Sequence, residues 1–251
     1  MYSTITRRLY IMNHFIDIIR LQYRRLRIGA SLHRNDALGA LHRAWGYVHA
    51  TQMMGDYYEF GVYRGASLIS SRLSQQHFRR HLEHSRDLPF LRQGSVARFL
   101  QHNPTFYGFD TFAGMPENAE GEDSLAPGSF KADLAPVLRR CRLMGLRPPT
   151  LQLFPGLFSQ TSHNIGPHPA AIVHIDCDLY ASAADALGVI APRLTQGTIL
   201  LFDDYNLFRA DNRQGERRAL AEFLATHDIT VEPWFAYGPA SQAFICHRAA
   251  P

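Results

Sequence analysis

From residue 57 onward, short apolar runs alternate with longer stretches of helical periodicity. The runs Tyr57–Phe60, Thr105–Phe109, Thr150–Phe154, Ala171–Ile175 and Thr198–Phe202 are each only four or five residues long. They are apolar without a clean period of two, which is the pattern of strands buried on both faces of a parallel sheet. Helices are predicted after Gly65, over about 131–144 and over Arg213–His227, the last with Glu216, Arg217 and Arg218 on a solvated side. Residues 75–104 are polar and rich in His and Arg, and read as helix with loops; residues 112–130, rich in Gly, Pro and acids, read as a mobile loop. Val231–Tyr237 and Gln242–His247 form a closing pair, the second strand antiparallel. Strands alternating with helices predict an α/β, Rossmann-like, doubly wound sheet.

Upstream of this core, Ile5, Leu9, Met12, Ile16, Ile19, Tyr23 and Leu26 recur at three- and four-residue spacing. They draw one apolar stripe along a helix over residues 5–28 whose other side is rich in arginine. Such a helix packs its stripe on the domain or on a partner subunit; contact with a membrane surface and a transit peptide are the alternatives. A second helix over about 35–53 leads into the core. The predicted organisation is an N-terminal helical segment, 1–54, followed by one domain, 55–251.

With 251 residues and 46% hydrophobic content, the chain can build one large core. No apolar run approaches the ~18–20 residues of a membrane span. The net charge of +4 is modest and no Lys/Arg run carries interleaved aromatics, which argues against a nucleic-acid partner. Cys141, Cys177 and Cys246 have neither metal nor disulfide spacing, as expected of a reduced, cytoplasmic protein.

The candidate chemistry lies at the ends of two strands. His174-Ile175-Asp176-Cys177-Asp178 closes one run and Leu200-Leu201-Phe202-Asp203-Asp204 closes the next. Sites in open α/β sheets form outside the carboxyl ends of strands. If the two strands are neighbours, Asp176, Asp178, Asp203 and Asp204 converge. Clustered carboxylates stay ionised together only with a cation among them, and all-oxygen ligands suit Mg²⁺, Ca²⁺ or Mn²⁺ better than zinc. The competing reading is helix capping, but a cap uses one carboxylate per helix and leaves the others buried at a cost.

Glu59-Phe60-Gly61-Val62-Tyr63-Arg64-Gly65 sits where the first strand turns into a helix. The dinucleotide fingerprint wants G-x-G-x-x-G; here Tyr63 occupies the middle position and an acid precedes the turn. That acid suits an ammonium or sulfonium better than a pyrophosphate, which points toward S-adenosylmethionine. A glycine turn serving only close helix–strand packing is the alternative. Asp110 ends the second strand, where an acid commonly takes ribose hydroxyls, or caps the turn that follows.

Four motifs in one order carry a family resemblance: Tyr58-Glu59-Phe60-Gly61-Val62-Tyr63-Arg64-Gly65, Gly108-Phe109-Asp110-Thr111-Phe112-Ala113-Gly114-Met115-Pro116-Glu117, His174-Ile175-Asp176-Cys177-Asp178-Leu179-Tyr180 and Phe202-Asp203-Asp204-Tyr205. Across about residues 55–225 the chain resembles the macrocin O-methyltransferase (TylF-type) family, enzymes that methylate sugar hydroxyls of macrolide and aminocoumarin antibiotics. The resemblance implies a class I methyltransferase fold with strand order 3-2-1-4-5-7-6, S-adenosyl-L-methionine as methyl donor, Mg²⁺, and a dimer or larger assembly. It implies Asp176, Asp203 and Asp204 as metal ligands, and Asp178, or else Asp176, as general base. It places Glu59, Gly61, Val62, Tyr63, Gly65, Ser67, Asp110 and Asp176 around the cofactor. The N-terminal helices and the loop Asn118–Phe130 depart from the family pattern, so the acceptor stays open.

The expected activity is O-methylation of a sugar hydroxyl on a glycosylated small molecule or glycan, with two vicinal hydroxyls held on Mg²⁺ and a carboxylate accepting the proton. A catechol-like acceptor, and a non-catalytic cofactor-binding protein on the same scaffold, are the alternatives. His174 lies within a strand and reads as structural rather than basic. Tyr180 and Tyr205 read equally as site walls or core, and His163 and His168 as solvated loop residues.

Overall fold

The structure, a computed structural model, describes residues 36–84, 93–120, 123–161 and 165–248. The basic helix predicted over residues 5–28, and His163, lie outside the described residues.

Seven strands form one sheet: β1 (Asp56–Phe60), β2 (Phe106–Asp110), β3 (Leu151–Pro155), β4 (Ala170–Ile175), β5 (Ile199–Phe202), β6 (Ile229–Ala236) and β7 (Gln242–Arg248). Their order is β3-β2-β1-β4-β5-β7-β6, as the resemblance implied. The first five run parallel, while β7 pairs antiparallel with both β5 and β6. Every residue of β1, β4 and β5 is buried, which explains why these strands read as mostly apolar runs; their polar members Asp56, Glu59 and His174 are buried with the rest.

Alternate residues divide two cores. Tyr57, Phe106, Ile172, Ile199 and Leu201 face one cluster. Tyr58, Phe60, Tyr107, Phe109, Val173, Ile175, Leu200 and Phe202 face the other. Onto the first face pack α1 (Ala37–Thr51), α2 (Ala66–His84), α3 (Gln93–Gln101) and α4 (Leu134–Leu143), through residues such as Leu41, Leu68, Phe99 and Val137. Onto the second pack the single turn α5 (Phe158–Thr161), α6 (Tyr180–Ile190) and α7 (Gly215–Thr226), through Phe158, Ala183, Leu187 and Leu220.

Helix α1 begins where Asp36 caps it, accepting the Gly39 N–H at 3.0 Å. It is part of the main core: Leu41, Ala44, Trp45 and Val48 are buried, and the Trp45 indole N–H donates to Ser71 Oγ at 2.7 Å. Trp45→Ala leaves a large hole beside Tyr57 and Phe106, so we expect about 3–5 kcal/mol lost in urea unfolding. A loss below about 1 kcal/mol shows instead that α1 is detachable from the sheet.

Candidate active site

The strands end in step, and their exits make a continuous row. Beyond each parallel strand the next residue keeps one more ladder hydrogen bond: Gly61 N–H to Phe109 O, Asp176 N–H to Phe60 O and Asp203 N–H to Ile175 O, each at 2.9 Å. Asp110, Gly61, Asp176 and Asp203 therefore lie side by side along one edge of the sheet. Gly61 has φ +98°, and a Cβ there would sit 1.8 Å from the Asp176 carbonyl oxygen. Only glycine lets the first strand turn this close to the fourth. The turn is held by Asp110, whose carboxylate accepts the N–H groups of Val62 (2.9 Å), Tyr63 (2.7 Å) and Phe112 (2.6 Å). These bonds use three of about four acceptor positions on a carboxylate.

Because β4 and β5 are neighbours in register, the two acidic pairs meet. One carboxylate oxygen from each of Asp176, Asp203 and Asp204 lies within 4.8 Å of the others. Asp178 stands beside them in the left-handed region (φ 58°), at the centre of a tight turn in which the Leu179 N–H donates to Cys177 O at 2.5 Å. Such a turn is uncommon for a non-glycine residue, though Asp tolerates it better than most. Burial, reinforced by the neighbouring Asp203 charge, pushes the Asp176 carboxyl up to about 8. Burial and the charge of Asp178 push Asp204 up to about 9. Burial also raises Asp178, to about 6, against a hydrogen bond with Asp204 that favours its charged form. Hard oxygen donors held together against their own repulsion fit a divalent cation such as Mg²⁺.

A cavity of about 380 Å³ opens over this edge. Gly61, Tyr63 and Asp110 line one end, and Asp176, Asp178, Asp203 and Asp204 the other. The segment after β2 roofs it and is clasped rather than loose. The Met115 N–H donates to Ser129 O at 2.7 Å and the Gly128 N–H to Met115 O at 2.9 Å. Glu120 Oε1 accepts the Tyr180 N–H at 2.8 Å, supplying the first turn of α6 with a partner that Leu179, at its N-cap, does not. Tyr63 and Phe130 meet edge-on at the rim, ring centroids 6.1 Å apart, and both are exposed.

Glu59, Val62, Gly65 and Ser67 do not line the cavity. Where the sequence gives Glu59 a cationic ligand, the structure buries it one layer below. Its carboxylate accepts the Tyr57 and Ser67 hydroxyls, the latter at 2.9 Å. His174 lies between Glu59 (3.7 Å) and Asp203 (3.6 Å), too far for good hydrogen bonds but within ion-pair range, and is fully buried. Burial works to lower its pKa, yet the carboxylates of Asp203 and Glu59 outweigh it and hold the imidazole well above its ordinary range. Tyr180 and Tyr205 do not line the cavity either. The Tyr180 hydroxyl donates to Glu222 at 2.6 Å, and Tyr205 packs on Phe202 and Phe244. His168 meets the ring of His102, 5.3 Å away.

One reading is corrected. Glu216 is not on a solvated side with Arg217 and Arg218 but fully buried, because α7 starts directly beneath the acidic pairs. Phe130, Leu157, Phe158, Ser182 and Asp185 also line the cavity without a signal in the sequence, and Met115 does so from within the second motif. Cys141, Cys177 and Cys246 are buried free thiols. Among the described residues no helix is long and apolar enough to cross a membrane.

A seven-stranded sheet in this order, with a cavity at the carboxyl edge of β1, β2, β4 and β5, defines the class I methyltransferase fold. The solved structure of the O-methyltransferase NovP superimposes with a TM-score of 0.61 at 22% identity, covering 85% of this chain and 79% of that one. The family model described as Macrocin-O-methyltransferase (TylF) matches residues 90–234, more than half of the sequence, and the chain belongs to that family. It is similar to the 8-demethyl-8-(2,3-dimethoxy-alpha-L-rhamnosyl)-tetracenomycin-C 4'-O-methyltransferase of Streptomyces olivaceus, 31% identical over 168 residues and 63% of this chain. It is also similar to the mycinamicin III 3''-O-methyltransferase of Micromonospora griseorubida, 23% identical over 71% of this chain. The chain spans 56% and 63% of the lengths of these two curated relatives.

Proposed function

We propose that this protein is an S-adenosylmethionine- and Mg²⁺-dependent O-methyltransferase acting on a sugar hydroxyl of a glycosylated small molecule. The observation that carries the reading is the convergence of Asp176, Asp203 and Asp204 on one cavity with the glycine turn and Asp110. Membership of the macrocin O-methyltransferase family supports it, as do two relatives named for methylating glycosylated natural products. The fit of the residues supports both groups. Three oxygen donors suit Mg²⁺, and the remaining acceptor capacity of Asp110 suits a ribose hydroxyl.

When bound, the cofactor supplies an electrophilic methyl group and the cation acidifies a chelated hydroxyl. The chain's own residues do the rest. Asp176, Asp203 and Asp204 would hold the cation, and the strand ends that carry them would set where an acceptor's vicinal hydroxyls sit. Asp178, aimed by its left-handed turn, accepts the hydroxyl proton on a carboxylate oxygen. Tyr63, Phe130, Met115 and Leu157 keep water from the apolar part of the cavity.

Calorimetric titration tests this. S-adenosylmethionine binds the wild type, and Mg²⁺ binds the wild type but not the Asp203→Asn/Asp204→Asn double variant. Absence of S-adenosylmethionine binding sinks the proposal. A screen of vicinal-diol glycosides against catechols then assigns the acceptor, and turnover of catechols alone overturns the sugar assignment.

A further inference from the structure

The cation ligands come from two loops, and the molecule must hold those loops at a set distance. The β4 exit carries Asp176 and Asp178; the β5 exit carries Asp203 and Asp204. Between them stands Glu216, fully buried in the first turn of α7. Its two oxygens diverge: Oε1 accepts the Cys177 N–H at 3.4 Å and Oε2 accepts the Asp204 N–H at 3.1 Å. Each loop thus presents to the same carboxylate a backbone amide within one residue of a candidate ligand. Gly215 makes the position reachable. It has φ +55°, and a Cβ there would meet the Phe208 ring at 2.6 Å, so α7 begins pressed into the floor of the site. A carboxylate in the first helical turn more often serves its own helix's N–H groups; this one serves two loops that are 39 and 12 residues away.

We propose that Glu216 is a positioning residue that clamps the two acidic loops at the separation a divalent cation requires. The inference rests on the metal-dependent reading above. Glu216 is not among the carboxylates whose oxygens come together as candidate ligands, nor does it line the cavity. It acts by fixing the backbone from which the ligands project. Outer residues of this kind tune a metal site nearly as strongly as its ligands do.

Glu216→Gln is the discriminating variant. It keeps the shape, but turns one acceptor oxygen into an NH₂ donor facing a backbone N–H, so only one loop stays anchored. Mg²⁺ is titrated calorimetrically into S-adenosylmethionine-loaded wild type, Glu216→Gln and Glu216→Asp, each with a thermal unfolding scan. We expect Mg²⁺ affinity to fall about 10-fold or more in both variants, with S-adenosylmethionine affinity within about twofold of wild type. Unchanged Mg²⁺ affinity with a lowered unfolding midpoint makes Glu216 a fold element only and overturns the inference, as does an equal loss of both affinities. Should Glu216→Gln not fold, Glu216→Asp carries the test, since its shorter arm spans one amide but not both; if neither folds, the positioning role is rejected. Wild type that binds S-adenosylmethionine but no Mg²⁺ removes the metal reading itself, a failure separable from one confined to the variants.

Discussion

Asp178→Asn lowers turnover by about 10²–10⁴-fold while S-adenosylmethionine and Mg²⁺ affinities stay within about twofold, because asparagine keeps the shape and loses the proton acceptor. Asn also tolerates the left-handed turn that Asp178 occupies, so the backbone is not disturbed. Single-turnover kinetics give the rate, and the same titrations as above give the affinities. The pH profile sharpens the result. Burial raises Asp178 to about 6, and a bound cation favours its charged form. The wild-type turnover rate therefore rises with pH only up to about 6 and is flat above, and the Asp178→Asn residue of activity lacks that limb. If Asp178→Asn turns over normally, Asp176 is the base and the acidic pair exchanges roles.

In chelator, the protein loses stability as pH rises, and Mg²⁺ reverses the loss. The sign follows from the raised carboxyls. Asp176 and Asp204 are protonated in the folded state up to about 8 and about 9, but ionise near 3.8 when unfolded. Between those limits the folded state binds more protons, so stability is full below the unfolded pKa and is lost as pH rises through the folded values. Two excess protons contribute about 3 kcal/mol per pH unit, an upper figure for coupled groups that share the change. The expected drop in unfolding midpoint from pH 6.5 to 8 is about 5–15 °C. His49 acts in the opposite sense on the acid side. Burial lowers it to about 4 against 6.5 unfolded, so its contribution is lost as pH falls through that window. Two protons outweigh one, so in chelator the midpoint already falls between about pH 4 and 6.5 and falls more steeply above 6.5, where His49 no longer offsets the carboxyls. With saturating Mg²⁺ the alkaline fall flattens, because the cation binds only the folded, deprotonated cluster. An unfolding midpoint that is flat from pH 6.5 to 8 in chelator shows that the carboxyls are not protonated as described.

The strands were readable because β1, β4 and β5 are buried on both faces, so apolar side chains dominate them and the few polar ones, such as Glu59 and His174, are buried too. The acid pairs stood out for the same reason: a buried run ending in two carboxylates needs a cause. The strand order was legible only through the four ordered motifs. An acid beside a glycine turn looks the same in sequence whether it faces the cavity or the layer beneath; the structure places Glu59 beneath, bonded to the Tyr57 and Ser67 hydroxyls. Glu216 was hidden by its neighbours. Next to Arg217 and Arg218 it reads as a solvated charge, and nothing local reveals that α7 starts under the site. The rim residues Phe130 and Leu157 come from loops, whose paths depend on contacts far along the chain. The segment 112–130 has a mobile composition, yet among its described residues Gly128, Ser129 and Glu120 make hydrogen bonds that no periodicity encodes.

The bond from the Tyr180 N–H to Glu120 joins the roof of the cavity to the helix that starts two residues after Asp178. Recognition and chemistry in this protein are therefore not independent modules. A roof exchanged for that of another family member, to redirect the acceptor, has to bring its own acid at position 120. Without one, the new roof lets go of the turn that aims Asp178, the proposed base, and a change made for selectivity is then expected to register as a loss of rate.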